Sequence, residues 1–231
     1  MRFPSRLIRG ILIQRYKRFL ADIRIDSGDI VTAHCTNTGS MMGCKAPGSV
    51  VYISRSNGAH RRLQYTWEMI RVGRTWVGVN TLRPNQLVAE AVQDGILREL
   101  KGYETVRREV ITRQGTRLDM RLDKGADSCF VEVKNVTAAI GMAAAFPDAV
   151  SLRGTKHLKE LMRLRRKGYR AAVVFVVQRS DCTCFRPADE IDAEYGRWLR
   201  RAVKAGVEIF PYRARVTPKE IVLVEALETR L

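Results

Sequence analysis

Polar and apolar residues alternate along the first part of the chain. The segment Phe19–Ile25 follows the two-residue period of a half-buried β-strand. Similar short runs predict four further strands, at Ile30–His34, Ser49–Arg55, Arg61–Trp67 and Thr75–Val79. The Asn-Gly pair within Ser56–Ala59 predicts a tight hairpin turn. Five short strands in this part of the chain predict a small closed barrel of the OB type, although an SH3-like barrel gives a similar pattern.

After about residue 82 the pattern changes to helices that alternate with strands. Helical periodicity with a glycine stop predicts three helices, at Asn85–Asp94, Gly154–Lys167 and Ile191–Ala205. Strands are predicted at Glu104–Ile111, Thr116–Leu122, Cys129–Lys134, Ala171–Val177, Val207–Tyr212 and Glu220–Val224. The fully apolar run Ala171–Val177 is typical of a central strand that is buried on both faces. The pattern therefore predicts a barrel domain at 1–82 and an α/β domain at 83–231, with a central mixed sheet flanked by helices.

Composition adds a large positive charge to this picture. The chain has 231 residues, of which 45% are apolar, so that it can bury a real core and intrinsic disorder is excluded. Its net charge is +17, which favours a phosphate polyanion as partner: nucleic acid first and an acidic membrane surface second. Residues 1–83 hold 14 basic and 4 acidic residues and so carry most of this excess. The alternative is a charge that serves solubility alone.

Membrane insertion and disulfide bonding are both disfavoured by the sequence. No apolar run approaches the roughly 20 residues that a membrane helix needs. The five cysteines are odd in number and none has the C-x-x-C spacing of a structural zinc site. We interpret them as reduced thiols of a cytoplasmic protein.

Two acidic residues and a lysine on adjacent predicted strands form the most informative group. Because side chains alternate along a strand, Glu132 and Lys134 share one face. The segment Asp123–Asp127 predicts a hairpin turn centred on its Gly-Ala pair. That register puts Asp119 directly across from Glu132, close enough to share a cation.

This arrangement recurs in enzymes that cleave phosphodiesters. The carboxylates of Asp119 and Glu132 would hold Mg²⁺ or Mn²⁺ through oxygen ligands, and Lys134 would orient water or stabilise developing charge. Glu90 in the preceding helix is a candidate third metal ligand, and Gln178 at the end of the apolar strand is a candidate for the same edge of the sheet. A solvated strand face is the alternative interpretation of the Glu-x-Lys spacing.

Three groups of residues are candidates for nucleic-acid binding. The helix Gly154–Lys167 is densely basic, and its Lys156 and His157 are candidate phosphate contacts. The loop Cys35–Met41 contains Asn37 and offers hydroxyl and amide donors to an anion, although an ordinary Asn-Gly turn explains it equally well. In the first strand region, the candidate backbone contacts are Arg15, Lys17 and Arg18, beside Tyr16 and Phe19.

Eight short motifs along the chain carry a family resemblance. They are Arg15–Phe19, His34–Gly39, Tyr65–Glu68, Val77–Thr81, Val131–Val136, Phe146–Ala149, Arg153–Leu158 and Phe175–Arg179. In this order, and over essentially the whole chain, they resemble the sugar fermentation stimulation protein A (SfsA) family. The resemblance implies an N-terminal OB-fold domain followed by a domain of the PD-(D/E)XK nuclease type.

On that template the metal and catalytic positions are Asp119, Glu132 and Lys134, supported by Glu90 and Gln178. A leucine stands where the proline of the motif's name is expected, just before Asp119. The resemblance also implies DNA binding and a link to the regulation of sugar (maltose) metabolism genes.

Three functional hypotheses follow. The first is a DNA-binding protein, for single or double strands with weak sequence preference, that has a working Mg²⁺-dependent nuclease site. The second is a non-enzymatic DNA-binding regulator that keeps the nuclease scaffold for binding alone. The third is a basic RNA-associated protein, since OB folds also bind RNA. The sequence leaves the oligomeric state open.

Overall fold

Residues 1–56, 58, 61–113 and 115–231 are described by a computed structural model. The first six strands are β1 (Ile8–Tyr16), β2 (Leu20–Ile25), β3 (Ile30–His34), β4 (Val50–Arg55), β5 (Tyr65–Val72) and β6 (Thr75–Gly78). They form a sheet in the order β3-β2-β1-β4-β5-β6, and β3 also pairs with β5. This last pairing closes strands β1 to β5 into a barrel, as the sequence predicted.

Alternating side chains fill the barrel. Leu12, Ile23, Ile53 and Trp67 are all at most 1% exposed and lie in one apolar cluster. The period-two pattern of the strands therefore turns one set of residues inward, while the basic residues between them remain outside. Two of the four positions of the Asn-Gly turn predicted at Ser56–Ala59, 57 and 59, lie outside the described residues.

The second part of the chain is an α/β domain built on a mixed sheet. Its main strands are β7 (Thr105–Arg113), β8 (Thr116–Lys124), β9 (Asp127–Val136), β12 (Arg170–Val177), β14 (Glu208–Val216) and β15 (Ile221–Ala226). They lie in the order β15-β14-β12-β9-β8-β7. β12 is parallel to both of its neighbours, whereas the outer pairs are antiparallel. The predicted architecture, a small barrel followed by an α/β domain with a central mixed sheet flanked by helices, is confirmed.

Helices cover both faces of this sheet. The helices are α1 (Pro84–Gln93), α2 (Leu152–Arg166) and α3 (Asp189–Lys204), and a 3-10 turn follows α1 at Arg98–Leu100. Strand β12 shows why two cores form: Val174 and Val176 join the core that contains α1, whereas Val173 and Phe175 join the core that contains α2 and α3. A strand buried on both faces must be apolar at every position, which explains the uninterrupted apolar run.

A second, small sheet was not expected from the sequence. It comprises β10 (Ala138–Ile140), β11 (Ala143–Phe146), β13 (Cys184–Pro187) and β16 (Glu228–Thr229), in the order β10-β11-β13-β16. These strands are two to four residues long. β10 and β11 pair locally, whereas β13 pairs with the distant β11 and β16, and strands this short carry no periodicity signal.

A buried polar network connects the barrel to the start of α1. Glu68 on β5 is fully buried and accepts hydrogen bonds from Ser54, Asn80 and Arg83. The contact to Arg83 is bidentate, with distances of 2.5 and 3.0 Å. Since Arg83 immediately precedes α1, this carboxylate fixes where the helix leaves the barrel.

All five cysteines are buried as free thiols. Burial raises the pKa of Cys44 and Cys182 to about 11 and that of Cys129 to about 12. The prediction of reduced, unpaired thiols is therefore consistent with the fold. Among the described residues, no helix is both long enough and apolar enough to cross a membrane.

Candidate functional site

The β8–β9 hairpin brings Asp119 and Glu132 together. Lys124 pairs with Asp127 across the turn and Met120 pairs with Val131, so the next position of the same register sets Asp119 against Glu132. One oxygen of Asp119 accepts the backbone N–H of Val133 at 2.8 Å. The predicted turn and register are therefore present.

Glu132 is the centre of a buried cluster. Its Oε1 accepts a hydrogen bond from Nζ of Lys134 at 2.6 Å and another from Nδ1 of His157. Its Oε2 is buried and has no hydrogen-bond partner among the described residues. Burial by itself raises the pKa of Glu132, but the neighbouring Lys134 and His157 outweigh it and hold that pKa below its ordinary value. Glu132 is thus kept ionised, and its Oε2 is the oxygen that has no partner among the described residues.

Asp119 lies in a different electrostatic environment. Burial, followed by the charge of Glu132, raises the pKa of its carboxyl group. Hydrogen bonds from Val133 and from Nδ2 of Asn85, at 2.9 Å, act in the opposite direction. The carboxylates of Asp119 and Glu132 therefore repel each other, and a cation bound to both would relieve this repulsion.

Glu90 departs from the expectation that it supplies a third carboxylate. Its carboxylate lies 2.6 Å from the amino group of Met1 and accepts a hydrogen bond from Gln86. The reason is helical geometry, because Glu90 follows Asn85 by five positions and so lies about 140° further around α1. Asn85, an amide, takes the place beside Asp119 that the sequence analysis gave to Glu90.

Gln178 is fully buried at the end of β12. Its Nε2 donates to Oδ1 of Asn135 at 2.6 Å, and its backbone carbonyl accepts the N–H of Gly78 from the barrel. Its side-chain oxygen has no partner among the described residues. Gln178 therefore joins the two domains: its backbone bonds to the barrel, and its side chain bonds to Asn135, the residue next to Lys134.

The candidate nucleic-acid contacts separate into two groups. Arg15 is committed to the fold, since its guanidinium donates to the carbonyl oxygens of Arg18, Asn37 and Gly39. The side chain of Asn37 is turned inward and accepts the N–H of Gly39 at 2.9 Å. Both side chains therefore shape the loop that follows β3 (residues 35–41, the barrel loop). The sequence predicted phosphate contacts for them instead.

The remaining candidates differ in exposure. Lys17, Arg18 and Lys156 are exposed, and Lys156 also donates to the carbonyl of Gly115 at 2.6 Å. His157 is 5% exposed and contacts Glu132, so that its place is inside the carboxylate cluster. No signal in the sequence connected His157 to Glu132, because the two are 25 positions apart and meet only when α2 packs on the sheet.

The barrel loop is held against the α/β domain by Asp148, a residue that the sequence analysis did not single out. One carboxylate oxygen accepts the N–H of Met41 at 3.0 Å and the hydroxyl of Ser40 at 3.4 Å. Asp148 also lies so close to Gly39 that a Cβ there would be 2.7 Å from its oxygen. Glycine is therefore required where the loop meets this carboxylate.

Barrel, mixed sheet and paired carboxylates together define a two-domain protein in which an OB-type module precedes an α/β domain that carries the carboxylate pair. Two family models cover most of the chain: the "SfsA N-terminal OB domain" matches residues 13–79, and the "Sugar fermentation stimulation protein RE domain" matches residues 82–220. The chain belongs to the sugar fermentation stimulation protein family.

Individual relatives agree with this assignment. A "Sugar fermentation stimulation protein homolog" of Geotalea uraniireducens is 51% identical over 100% of both chains. A homolog of Geobacter sulfurreducens is 53% identical over 98% of this chain and 97% of its own length. Among solved structures, "Pyrococcus Furiosus SfsA in complex with Ca2+" superposes with a TM-score of 0.92 at 28% identity, and covers 100% of this chain and 98% of the other.

Proposed function

We propose that this protein binds DNA and hydrolyses phosphodiester bonds with the help of a divalent cation, Mg²⁺ or Mn²⁺, held by Asp119 and Glu132. The observation that carries the proposal is the buried, unpartnered Oε2 of Glu132 beside a second carboxylate and a lysine. A buried carboxylate oxygen without a donor is costly unless a cation or a water satisfies it. Carboxylate oxygens are also the ligands that hard divalent cations prefer.

Two carboxylates are enough for such a cation. Within the described residues, no group of three or more His, Cys, Asp or Glu side chains is arranged to hold a metal. Mg²⁺ is commonly bound by one or two carboxylates together with water and substrate phosphate, so that the site would be completed by its substrate. The relative from Pyrococcus furiosus was solved in complex with Ca²⁺, a cation with the same preference for oxygen ligands.

The surrounding residues have separable tasks. When bound, the cation would polarise the phosphate and lower the pKa of water. His157 and Lys134 hold Glu132 ionised and in place through its Oε1, which leaves Oε2 for the cation. Lys134 also brings a positive charge next to the position of the phosphate, where it stabilises charge that develops on the oxygens. Asn85 orients Asp119 from α1.

A second candidate function is DNA binding without cleavage, as in a transcriptional regulator. One observation favours it: both oxygens of Asp119 already accept hydrogen bonds inside the protein, from Asn85 and Val133. A carboxylate that is satisfied in this way gains less from a cation. The name of the relatives points to sugar metabolism, and we extend the proposed DNA binding to genes of that kind.

The deciding experiment compares DNA cleavage by the wild type and by Glu132→Gln. Labelled single-stranded, nicked, branched and duplex DNA are incubated with Mg²⁺ or Mn²⁺, and circular dichroism verifies that the variant is folded. We expect cation-dependent cleavage that falls at least about 100-fold in Glu132→Gln, because a ligand of the cation is lost. The matched control Glu109→Gln removes an exposed carboxylate from β7 and should cleave like the wild type.

Cleavage that is absent under all conditions, with binding undiminished in Glu132→Gln, would establish the non-enzymatic function instead. DNA binding itself is tested by fluorescence anisotropy at increasing salt. A chain of net charge +17 that neutralises several phosphates should lose at least about tenfold in affinity between dilute and physiological salt. A flat salt dependence contradicts DNA binding through this charge.

A further inference from the structure

Two clefts open on either side of the Glu132 cluster. The first, of about 410 Å³, lies between the barrel loop and the α/β domain, and Lys134 lines it. The second, of about 450 Å³, lies between strands β7 and β8 on one side and α2 on the other, and His157 lines it. Arg153, at the start of α2, borders both clefts.

The two clefts meet at one carboxylate. Lys134 from the first cleft and His157 from the second both bond to the same oxygen of Glu132. A linear polymer that occupies both clefts would therefore run past Arg153 and close beside the Glu132 cluster. The arrangement places the proposed reaction at the middle of a path and not at the end of a closed pocket.

The first cleft offers neutral hydrogen-bonding groups and cations. Its walls include the polar residues Thr36, Asn37, Thr81, Asn135 and Thr137, several of which also hydrogen-bond within the protein. Asp148 is the only carboxylate that lines it within the described residues, and this residue already accepts two hydrogen bonds from the barrel loop. Hydroxyls and amides can read the edges of unpaired bases, and the nearby Arg18 and Arg153 suit phosphates.

Each cleft also carries one strongly exposed apolar side chain. Val150 lines the first cleft and is 71% exposed, and Ile111 lines the second and is 74% exposed. A single exposed apolar residue needs no explanation. Here, however, each lies beside cations in a cleft that leads to the same carboxylate. Apolar side chains in such places contact the faces of bases that are unstacked from their neighbours.

We infer that the substrate of the site is a single DNA strand that passes through both clefts, with its unpaired bases in contact with Val150 and Ile111 and one phosphate over Glu132. The inference rests on the proposed function and specifies its substrate. Each cleft has the volume of a small-molecule pocket, roughly 300–1,000 Å³, and accommodates a nucleotide. A base pair does not fit this description, because pairing hides the edges that the threonines and asparagines would contact.

The test measures binding without cleavage, by anisotropy in the presence of EDTA. The probes are a labelled oligothymidylate of about 16 nucleotides, which matches the larger site sizes of such grooves, and a duplex and an oligouridylate of the same length. The variants are Arg153→Glu and Val150→Asp, both at exposed positions. The matched controls are Arg197→Glu on α3 and Val224→Asp on β15, which border neither cleft.

We expect the wild type to bind the single DNA strand at least about tenfold more tightly than the duplex. Arg153→Glu and Val150→Asp should each weaken single-strand binding about tenfold, because each introduces a carboxylate beside the bound phosphates, and the controls by less than about twofold. Equal or tighter duplex binding, equal losses in the controls, or a preference for the oligouridylate would each overturn the inference.

The two proposals can fail separately. Cleavage that prefers duplex DNA over single strands would leave the proposed nuclease function intact and refute the single-strand path. Single-strand binding that depends on Val150 and Arg153, together with an absence of cleavage under every condition, would refute the catalytic function and leave the path in place.

Discussion

The backbone N–H of Gly78, at the end of barrel strand β6, donates to the carbonyl oxygen of Gln178 at 2.9 Å. The same two residues touch through the side chain, since a Cβ on Gly78 would lie 2.8 Å from Cδ of Gln178. The barrel and the α/β domain are therefore joined where only glycine fits, next to the edge of the sheet that carries the carboxylates.

Gly78→Ala should lower the free energy of unfolding by about 2 kcal/mol, because the added methyl overlaps a buried amide that cannot move freely. Urea denaturation measures the effect. In the background of Gln178→Ala, the same substitution should cost clearly less, since the overlapping amide is gone. Equal costs in the two backgrounds would show that Gln178 is not what excludes a side chain at position 78.

Glu68→Ala should be among the most destabilising substitutions in the barrel. It leaves Arg83 and Asn80 without their buried partner, and removal of one member of a buried ion pair typically costs about 3–5 kcal/mol. The matched control is Glu109→Ala, whose pair with Arg117 is exposed on both sides and should contribute less than about 1 kcal/mol. Chemical denaturation that gives similar losses for both variants contradicts a central role of Glu68.

Asn85→Ala should weaken Mn²⁺ binding about tenfold, as observed for residues that orient a metal ligand. The substitution removes the hydrogen bond to Asp119 and so raises further a pKa that burial already raises. Titration calorimetry provides the measurement, and Gln86→Ala is the control because Gln86 bonds to Glu90, away from the carboxylate pair. An unchanged affinity in Asn85→Ala would mean that Asp119 needs no orientation from α1.

The ion pair between Asp181 and Arg179 makes stability depend on pH. Arg179 donates to both carboxylate oxygens, at 2.7 and 2.8 Å, and holds the pKa of Asp181 below its ordinary value. Because the folded-state pKa is the lower one, the stabilisation is complete above the unfolded value of about 3.9 and is lost as pH falls through the folded value.

Asp181→Asn should therefore lower the free energy of unfolding at neutral pH, by about 1 kcal/mol because the carboxylate is partly exposed. The difference from the wild type should shrink as the pH falls below the unfolded value and through the lower folded value. Thermal unfolding across this pH range is the measurement, with Asp26→Asn, at an exposed pair with Arg9, as a control that should change little. A difference that persists at the lowest pH would assign the effect to packing.

Most of the fold could be predicted from local pattern. Strand β3 was predicted with its observed bounds, and the apolar run of β12 indicated a strand buried on both faces. The hairpin between β8 and β9 was also predictable, because the Gly-Ala pair at its centre fixes which residues face each other. The short strands around the Ala-rich segment Ala143–Phe146 were missed, since β10 and β11 form a local hairpin of only three and four residues and β11 otherwise pairs with the distant β13.

The candidate site was predictable only in part, for the same reason. Asp119, Glu132 and Lys134 lie on one hairpin, so that strand alternation alone brings them together. His157 and Asn85 reach them from two different helices, and no sequence spacing encodes the direction in which a helix packs. The choice of Glu90 followed from its chemistry, whereas its place on the helix turns it toward the amino group of Met1.

The five buried thiols, finally, make the chain suited to site-directed labelling. Maleimide reagents react with thiolates, and burial keeps the native cysteines unreactive at neutral pH, helped by a raised pKa at Cys44, Cys129 and Cys182. Cysteines introduced at the exposed positions of Thr38 and Val150 would carry dyes or spin labels on opposite walls of the first cleft. The distance between the two labels would then show directly whether the barrel loop and the α/β domain move apart when a ligand enters.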